Sequence, residues 1–294
     1  MNKISTRHLR YFEALAQHGH FGRAAAACAI SQPALSLQMK ELEQILGTPL
    51  IERGARQIRL TATGEAFAAR ARDILRAIDE LDDLARASTG PLAGRLRIGV
   101  IPTVAPYLLP RVIQLLSARY PDLDLRPREA VTGKLVEDLH EGRLDLAIVA
   151  LPVSEPALTE HPLFTEDFVL VRPAADAGNP VPNPETLRTM RLLLLEEGHC
   201  FRDQALSFCK MPSVSSDLME GSSLSTLVQM VGVGIGVTLI PQMAVAIETA
   251  NAPVSVARLA SPRPQRTIGL VWRKTNPLAR QFAALTDIVK AAAG

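Results

Sequence analysis

The sequence predicts a chain in two unequal parts, an all-helical N-terminal part and a larger C-terminal α/β part, joined by one long helix. Three observations predict this division. Apolar residues recur at helical spacing through the first sixty positions, an Ala-, Leu- and Arg-rich stretch follows, and from Arg95 onward short apolar strands alternate with helices. A chain of 294 residues exceeds one average domain and can bury a sizeable core.

Three helical segments are predicted in the first sixty residues. LRYFEALAQHG and FGRAAAACAI form the first two, and QPALSLQMKELEQILG forms the third after a break at 29–31. The third segment has an apolar stripe at spacings i, i+4, i+7 and i+11, formed by Leu35, Met39, Leu42 and Leu46. Ser31 is a suitable N-cap, and Pro33 falls in the first turn, where its missing N–H group is tolerated.

The polar face of the third segment is typical of a nucleic-acid-binding surface. Gln32, Ser36 and Lys40 lie opposite the apolar stripe, where short polar side chains suit the reading of base edges in a major groove. LIERGARQIRLTATG then predicts a β-hairpin around Gly54, with a cationic edge suited to phosphate groups. Residues 1–60 hold eight Lys and Arg against four Asp and Glu, in a chain of formal net charge +2. These features favour DNA binding over the alternative of an ordinary solvated helix face.

A long helix is predicted over 61–88, followed by a hinge. The stretch contains no proline and only the early Gly64, and it would extend about 40 Å at 1.5 Å per residue. Such a length suits pairing with a second copy of the chain. TGPLAG predicts the hinge. The predicted boundaries are therefore 1–60 for a DNA-binding domain, 61–88 for the linker helix, 89–94 for the hinge and 95–294 for a regulatory domain.

Strands and helices alternate through the regulatory domain. The predicted strands are LRIGVI, LDLRPREA, LDLAIVA, DFVLVRP, RLLLLEE, IGVTLIP and TIGLVWR. The predicted helices are YLLPRVIQLLSARY, KLVEDLHEG, SLSTLVQMVGV and LARQFAALTDIVKAAA. This alternation predicts parallel α/β sheets with both faces covered.

One apolar stretch is long enough to be compared with a membrane span. No charged residue occurs between Glu220 and Glu248, but three alternating glycines and Pro241 interrupt the stretch, and it has no flanking Lys or Arg. The glycines, VGVGIG at 231–236, precede a strand and therefore differ from a dinucleotide-binding loop, which precedes a helix. The stretch predicts a buried helix, a glycine turn and a buried strand, and no membrane association.

Composition and cysteine content indicate the class of protein. The chain is 47% hydrophobic and 21% charged, as in soluble globular proteins. MNKISTRHLRYFEAL lacks the long apolar core of a secretory signal, which favours a cytoplasmic location. Three cysteines, an odd number, do not form a disulfide framework. Cys28, within AAAACAI, is predicted to be a packing residue.

The segment GHCFRDQALSFCK at 198–210 holds the other two cysteines, Cys200 and Cys209. A disulfide needs Cα atoms within roughly 7 Å, whereas residues nine apart are about 13 Å apart in a helix and about 30 Å apart in a strand. A bridge would therefore require the segment to refold. His199 and Arg202 are close enough in sequence to favour a thiolate at Cys200. Two incidental buried thiols remain an alternative, and the spacing is not that of a zinc site, so no metal is predicted.

The N-terminal motifs resemble those of the LysR-type transcriptional regulators. The resemblance rests on SQPALS at the start of the third segment, on LEQILGTPL after it and on the R-x2-R and LTATG elements of the hairpin. It continues over the whole chain and includes GIGVTLIP at 234–241. It implies a winged helix-turn-helix, a linker helix and an effector domain similar to the periplasmic-binding-protein fold, in which two α/β subdomains face each other across a cleft.

The same resemblance implies DNA-contacting residues and partners. The implied base-facing residues are Ser31, Gln32, Pro33 and Ser36, and the implied phosphate-backbone contacts are Arg53 and Arg56. The implied partners are double-stranded promoter DNA and RNA polymerase. Dimers that pair through the linker helix, and homotetramers on DNA, are also implied.

The cysteine segment resembles the redox segment of the hydrogen-peroxide-responsive members of this family, and LRIGVIPTVAPYLLPRVI and the EA-x-T motif at 129–132 are similar as well. The resemblance implies a regulator of antioxidant genes, not an enzyme, that uses no cofactor. Cys200 would be the peroxidatic thiol and Cys209 its disulfide partner. The implied residues that bind peroxide or tune the thiol are Thr103, Thr132, His199, Arg202, Asp203 and Arg266.

Two departures and two alternatives accompany this interpretation. Phe201 stands where a smaller aliphatic residue is expected, and KMPSVSS after Cys209 departs from the family pattern. One alternative is a LysR-type regulator whose cleft binds a small metabolite through Ser222, Ser223 and Thr103, with idle cysteines. The other is a thiol peroxidase, which would leave the basic N-terminal domain unexplained.

Overall fold

The computed structural model describes residues 4–52, 58–87, 92–209 and 219–294, and the chain divides into two compact units, Met1–Ala85 and Arg86–Gly294. The helices of the first unit are α1 (Thr6–His18), α2 (Phe21–Ala27), α3 (Gln32–Leu46) and the start of α4 (Ala62–Ala87). They agree with the three predicted N-terminal helices and the predicted long helix.

The core of the first unit forms where the apolar stripes of α1 and α3 meet. Leu35, Met39 and Leu42 are buried against Phe12 and Leu15, as the helical spacing predicts. Burial of each large apolar side chain contributes about 1.5–3 kcal/mol. The Ser31 hydroxyl caps α3 and accepts a hydrogen bond from the Ala34 backbone N–H at 3.3 Å. These contacts fix the polar face of α3 on the outside of the unit.

The predicted hairpin is seen at its two ends. Ile51 and Leu60 form an antiparallel bridge, and the Glu52 N–H donates to the Arg59 carbonyl at 2.9 Å. Arg53 and Arg56, the predicted phosphate contacts, lie outside the described residues. Helix α4 then packs closely on the start of the hairpin. A Cβ at Gly64 would lie 2.1 Å from the Leu50 carbonyl oxygen, which explains the one glycine in this helix.

The second unit is a two-subdomain α/β domain, as predicted. Its strands are β1 (Gly94–Val100), β2 (Leu123–Glu129), β3 (Leu146–Leu151), β4 (Leu158–Pro173), β5 (Leu192–Leu195), β6 (Met219–Gly221), β7 (Val237–Pro241), β8 (Val254–Arg258) and β9 (Gln265–Arg273). Its helices are α5 (Ala105–Arg119), α6 (Thr132–His140), α7 (Pro184–Thr189), α8 (Cys200–Phe208), α9 (Leu224–Gly232), α10 (Val245–Glu248) and α11 (Ala279–Ala293).

Strand β4 is long enough to serve both subdomains. The first sheet has the order β2-β1-β3-β9-β4 and pairs residues Leu158–Asp167 of β4 with β9. The second sheet continues β4-β7-β5-β6 from the other end of the same strand, and β8 also pairs with that end. Each sheet has its own apolar core. Strand β4 therefore joins the two subdomains.

The sheets are mixed, whereas the alternation of strands and helices predicted parallel sheets. Strand β1 pairs in parallel with β2 and β3, and β5 does so with β6 and β7, but β4 and β9 pair only antiparallel. Parallel neighbours require a crossover of a dozen or more residues, usually helical. The antiparallel pairs, β3 with β9 and β4 with β7, β8 and β9, join strands that are not adjacent in the chain, so local sequence did not reveal their direction.

The apolar stretch between Glu220 and Glu248 folds as predicted. It forms the helix α9, a turn through Gly234 and the strand β7, and α9 and β7 are packed in the second core. Within the described ranges, no helix is both long enough and apolar enough to cross a membrane.

Candidate functional site

Cys200 is the first residue of α8 and is half-buried between the two subdomains. Strand β5 ends at Leu195, and Gly198 turns the chain into the helix with φ of +93°, a conformation that residues with a Cβ rarely adopt. Phe201 and Ala205 hold α8 in the second core, whereas Cys200 packs against the first core. The thiol is therefore placed at the boundary of the two cores.

A small pocket surrounds this thiol. It is lined by Ile101, Pro102, Thr103, Val131, Thr132, His199, Cys200 and Phe201. The space among these side chains is about 160 Å³, and no part of it is wide enough to hold a water molecule. The pocket brings together four of the site residues that the sequence analysis named, from three separate segments of the chain.

The pocket lies where three helices begin. Thr132 is the first residue of α6, Cys200 is the first residue of α8, and Thr103 lies two residues before α5. None of these three N-termini has a side-chain cap, and the buried Thr132 hydroxyl has no hydrogen-bond partner among the described residues. Helix N-termini carry partial positive charge. The arrangement places three such N-termini around one pocket and leaves the Thr132 hydroxyl available to a ligand.

His199 lines the pocket as a half-buried imidazole whose neutral form is favoured. Burial lowers the pKa of His199, although the nearby carboxylates of Glu196 and Glu129 oppose this effect. The imidazole is therefore mainly neutral at neutral pH, and it can donate a hydrogen bond from one nitrogen and accept one at the other.

Arg202 and Asp203 lie outside the pocket. The buried Arg202 guanidinium donates to the Leu195 carbonyl at 3.0 Å and to Glu220 at 2.5 Å, so it ties α8 to the ends of β5 and β6. Asp203 is exposed in the first turn of α8, where a negative charge suits the helix N-terminus. Arg202 thus holds the helix in place, and its charge is directed to Glu220.

Arg266 reaches the pocket through Thr103. Its guanidinium donates to the Thr103 hydroxyl at 2.6 Å and to the Thr103 carbonyl at 2.9 Å, and it pairs with Glu166 at 2.8 Å. It also lies 5.4 Å from the centre of the Phe201 ring. Because Arg266 and Glu166 sit on β9 and β4, the two strands that cross between the subdomains, they hold the Thr103 side of the pocket rigidly.

Cys209 lies at the opposite end of α8. It follows the last helical residue and is fully buried in the second core. At 1.5 Å per residue, the helix separates the two Cα atoms by about 13 Å, against the roughly 7 Å that a disulfide allows. Both thiols are free. Burial raises the pKa of Cys209 to about 11, so its thiol is protonated at neutral pH.

The two thiols are therefore expected to differ strongly in reactivity. In the native, reduced protein at pH 8, an alkylating reagent should label Cys200 and leave Cys209 unlabelled, because Cys209 is buried and its pKa is about 11. Mass mapping after a short exposure measures the two yields. Both cysteines should react in urea, and equal native labelling would contradict the placement of Cys209.

The two serines expected to hold a metabolite do not line the pocket that contains Thr103. Ser223 caps α9 by accepting a hydrogen bond from the Thr226 N–H at 3.2 Å, and Ser222 is exposed. Thr103 is bound by Arg266. The serines thus act as capping and surface residues, whereas Thr103 belongs to the thiol pocket.

The predicted base-facing residues lie at the start of α3. Gln32 and Pro33 are exposed, Ser36 is half-buried, and Ser31 uses its hydroxyl to cap the helix. Gln32 and Ser36 line one concave surface of the first unit with Lys40. The surface therefore offers hydrogen-bonding groups and a cation on the same face of one helix.

Sequence analysis missed the acidic partners of Arg266, Arg202 and Tyr107. Glu166 and Glu220 pair with Arg266 and Arg202, and the Tyr107 hydroxyl donates to Glu248 at 2.5 Å, between residues 141 positions apart. Burial and the adjacent Glu248 carboxylate raise the pKa of Tyr107, so the phenol remains a donor. No local pattern could have revealed pairs this far apart in sequence.

A helix-turn-helix unit followed by a two-subdomain α/β domain defines a DNA-binding regulatory protein. Two family comparisons agree with this class. Residues 6–65 match the bacterial regulatory helix-turn-helix protein family described as the lysR family, and residues 89–294 match the LysR substrate binding domain. The chain belongs to the LysR family of transcriptional regulators.

Among curated relatives, the chain is similar to proteins linked to hydrogen peroxide. It is 44% identical over 293 residues to a probable hydrogen peroxide-inducible genes activator of Streptomyces viridosporus, covering 98% of this chain and 94% of that protein. It is 40% identical over 294 residues to the DNA-binding transcriptional dual regulator OxyR of Escherichia coli strain K12, covering 98% and 95%.

Solved structures of OxyR proteins share the fold. A full-length OxyR variant from Pseudomonas aeruginosa matches with a TM-score of 0.76 and 38% identity, covering 98% of this chain and 95% of that one. A cysteine-to-serine variant of Corynebacterium glutamicum OxyR with bound hydrogen peroxide matches with a TM-score of 0.67 and 35% identity, covering 99% and 92%. The similarity to these structures therefore extends over nearly the whole chain.

Proposed function

We propose that this chain is a transcriptional regulator that senses hydrogen peroxide through Cys200 and Cys209. The observation that carries the proposal is the pocket in which Cys200, at a helix N-terminus, meets Thr103, Thr132 and His199. Similarity to hydrogen peroxide-inducible gene activators supports it. The cytoplasm is the expected location, and promoter DNA and RNA polymerase are the expected partners.

The first chemical step takes place at Cys200. The thiolate sulfur attacks one oxygen of hydrogen peroxide, a sulfur–oxygen bond forms and the oxygen–oxygen bond breaks. The sulfur is oxidised by two electrons to a sulfenic acid, and the other oxygen leaves as hydroxide and takes up a proton to become water. Thr103, Thr132 and His199 orient the peroxide by hydrogen bonds, and the helix N-terminus stabilises the negative charge that is transferred.

The second step joins the two cysteines. The Cys209 sulfur attacks the Cys200 sulfur, the disulfide forms, the sulfur–oxygen bond breaks and water leaves. The two Cα atoms must approach from about 13 Å to within roughly 7 Å, so α8 must unwind and Cys209 must leave the second core. Formation of the disulfide thereby changes the packing of α8 on the second core, and so changes the conformation of the subdomain.

The change of shape is transmitted to DNA through pairing of subunits. Ile74, Leu81 and Leu84 are exposed apolar residues on α4. They support pairing of this helix with a second copy, as dimers and then as homotetramers. A rearranged effector domain then alters the spacing of the DNA-binding units and the contact with RNA polymerase.

A brief peroxide pulse tests the whole proposal. Mass mapping of the purified protein should find a Cys200–Cys209 disulfide after treatment, with Cys28 still reduced. DNase footprinting on a bound promoter should change between the two states. A protein that binds DNA but stays reduced under peroxide would reject the sensing function, and one that oxidises without binding DNA would reject the regulatory function.

Substitutions at the start of α3 test the DNA interface. Gln32→Ala and Ser36→Ala should each weaken sequence-specific binding by about 1–3 kcal/mol if the side chain makes a paired contact with a base edge. Gel-shift titration at fixed salt measures the affinity. Gln17→Ala, an exposed residue of α1, is the matched control and should bind like the parent. Equal binding by all three variants would place the interface elsewhere.

A further inference from the structure

Leu37 is an exposed leucine on a helix whose other apolar positions are buried. Its side chain is 66% exposed, whereas Leu35 and Leu42 of the same helix are fully buried. Exposure of a large apolar side chain forgoes about 1.5–3 kcal/mol relative to burial. A single exposed leucine is unremarkable by itself, but the position of this one on the helix is specific.

Leu37 lies at the centre of the outward face of α3. At about 100° per residue, it points about 200° away from Leu35, directly opposite the buried stripe of Leu35, Met39 and Leu42. Pro33 precedes it by four residues on the same face, and Lys40 follows it by three. Around the helix axis, Lys40 lies about 60° and Ser36 about 100° from Leu37, so the leucine borders the polar side chains that the sequence analysis assigns to base edges.

The surroundings of Leu37 are apolar at the centre and polar at the rim. Pro33 and Ala34 are exposed beside it, and the first turn of α3 contains no acidic residue. The nearest carboxylate on this helix, Glu41, accepts a hydrogen bond from Gln38 at 2.9 Å and lies 3.9 Å from His8. The face combines a small apolar patch with the cation of Lys40 and the exposed carboxylate of Glu41, which accepts its hydrogen bond from Gln38.

A patch of this size fits a small apolar group rather than a protein surface. A stable protein interface buries about 800 Å² on each partner, far more than one leucine, one proline and one alanine can supply. The major groove of DNA presents one isolated apolar group, the C5 methyl of thymine, between hydrogen-bonding base edges. Its chemistry complements this face.

We infer that Leu37 is a specificity-determining residue that packs on the thymine methyl group of one base pair in each half-site. The inference rests on the proposed DNA-binding function of α3. Gln32 and Ser36 read the polar edges of neighbouring bases, and Leu37 selects thymine by excluding water from its methyl group. Cytosine lacks this methyl group, and so does uracil, which otherwise keeps the hydrogen-bonding pattern of thymine.

Thymine-to-uracil substitution tests the contact directly. The probe is a duplex that the reduced full-length protein selects from a random pool, in which each thymine is replaced singly by deoxyuridine. At one position per half-site, loss of the methyl group should weaken binding by about fourfold, the effect of removing one buried methyl-sized group. The other positions should change little.

Leu37→Ala provides the second arm of a double-mutant cycle. This variant should bind the parent duplex more weakly and lose its response to uracil at the sensitive position, because the methyl group then has no partner. Ile247→Ala, which removes a similarly exposed apolar residue from the second unit, is the matched control and should keep the full uracil effect. Thermal melting checks that both variants are folded.

The outcomes separate this inference from the proposed function. If the protein selects no sequence from the pool, both the DNA-binding function and the inference are rejected. Specific binding that is unaffected by uracil at every position rejects the Leu37 contact alone. A uracil effect that persists unchanged in Leu37→Ala assigns the methyl contact to another residue and also rejects it.

Discussion

Replacement of Cys200 by serine is expected to abolish the response to hydrogen peroxide. A serine hydroxyl occupies nearly the same volume but is not oxidised by peroxide, so neither the sulfenic acid nor the disulfide can form. Peroxide treatment should leave the mass, the α8 conformation and the DNA footprint of Cys200→Ser unchanged. Transcription from a reporter should remain at the untreated level, a complete loss of induction.

The other two cysteines provide the controls. Cys28→Ser should respond like the parent, because Cys28 lies at the end of α2 in the first unit, and burial raises the pKa of its thiol. Cys209→Ser should still form a sulfenic acid at Cys200, detectable with a sulfenic-acid probe, but no intramolecular disulfide. Full induction of Cys200→Ser would show that the pocket thiol is not the sensor.

Replacement of Arg266 by alanine is expected to destabilise the second unit strongly. The guanidinium is fully buried and pairs with Glu166, whose side chain is 8% exposed, so its removal leaves a carboxylate buried without its cation. Breaking such a pair costs about 3–5 kcal/mol. Urea unfolding of the reduced protein measures the change as a lower transition midpoint. Oxidation of Cys200 should also become slower, because Thr103 loses two of its hydrogen bonds.

Two variants separate packing from peroxide binding. Arg263→Ala removes an exposed arginine that pairs with Asp167 and should change stability far less. Arg266→Met combined with Glu166→Gln removes both buried charges, and it should regain most of the stability while oxidation of Cys200 stays slow. Equal losses of stability in Arg266→Ala and Arg263→Ala would contradict the buried ion pair. Oxidation of Cys200 at the parent rate in the double variant would show that Arg266 does not contribute to the peroxide reaction.

Local sequence was sufficient for the N-terminal unit. The stripe of Leu35, Met39 and Leu42 predicts both the bounds of α3 and the face that it buries, because a helix places residues three and four apart side by side. Ser31 and Gly47 mark its ends, as an N-cap and a left-handed C-cap. Leu37 shows the limit of this reasoning. The spacing places it outside the apolar stripe, but spacing alone does not show whether another part of the protein covers it.

Sequence analysis missed strand segments that lack an apolar run, among them the first half of β4 and the strand β8. The first half of β4, LTEHPLFTE, carries Pro162 and a register shift, and β8 is an exposed strand at the edge of the second sheet. Neither has the apolar run that marked DFVLVRP. These segments become strands because they pair with strands distant in the sequence, and their own residues do not indicate that pairing.

The sequence by itself determined the helix-turn-helix, the α/β regulatory domain and the presence of two cysteines too far apart to bond in any regular conformation. Each depends on residues close together in the chain. Only the tertiary structure decided what surrounds Cys200: the three helix N-termini, the neutral His199, the direction of Arg202 toward Glu220 and the support of Thr103 by Arg266. These contacts join residues up to 163 positions apart, and burial, which sets their strength, exists only once both subdomains have packed.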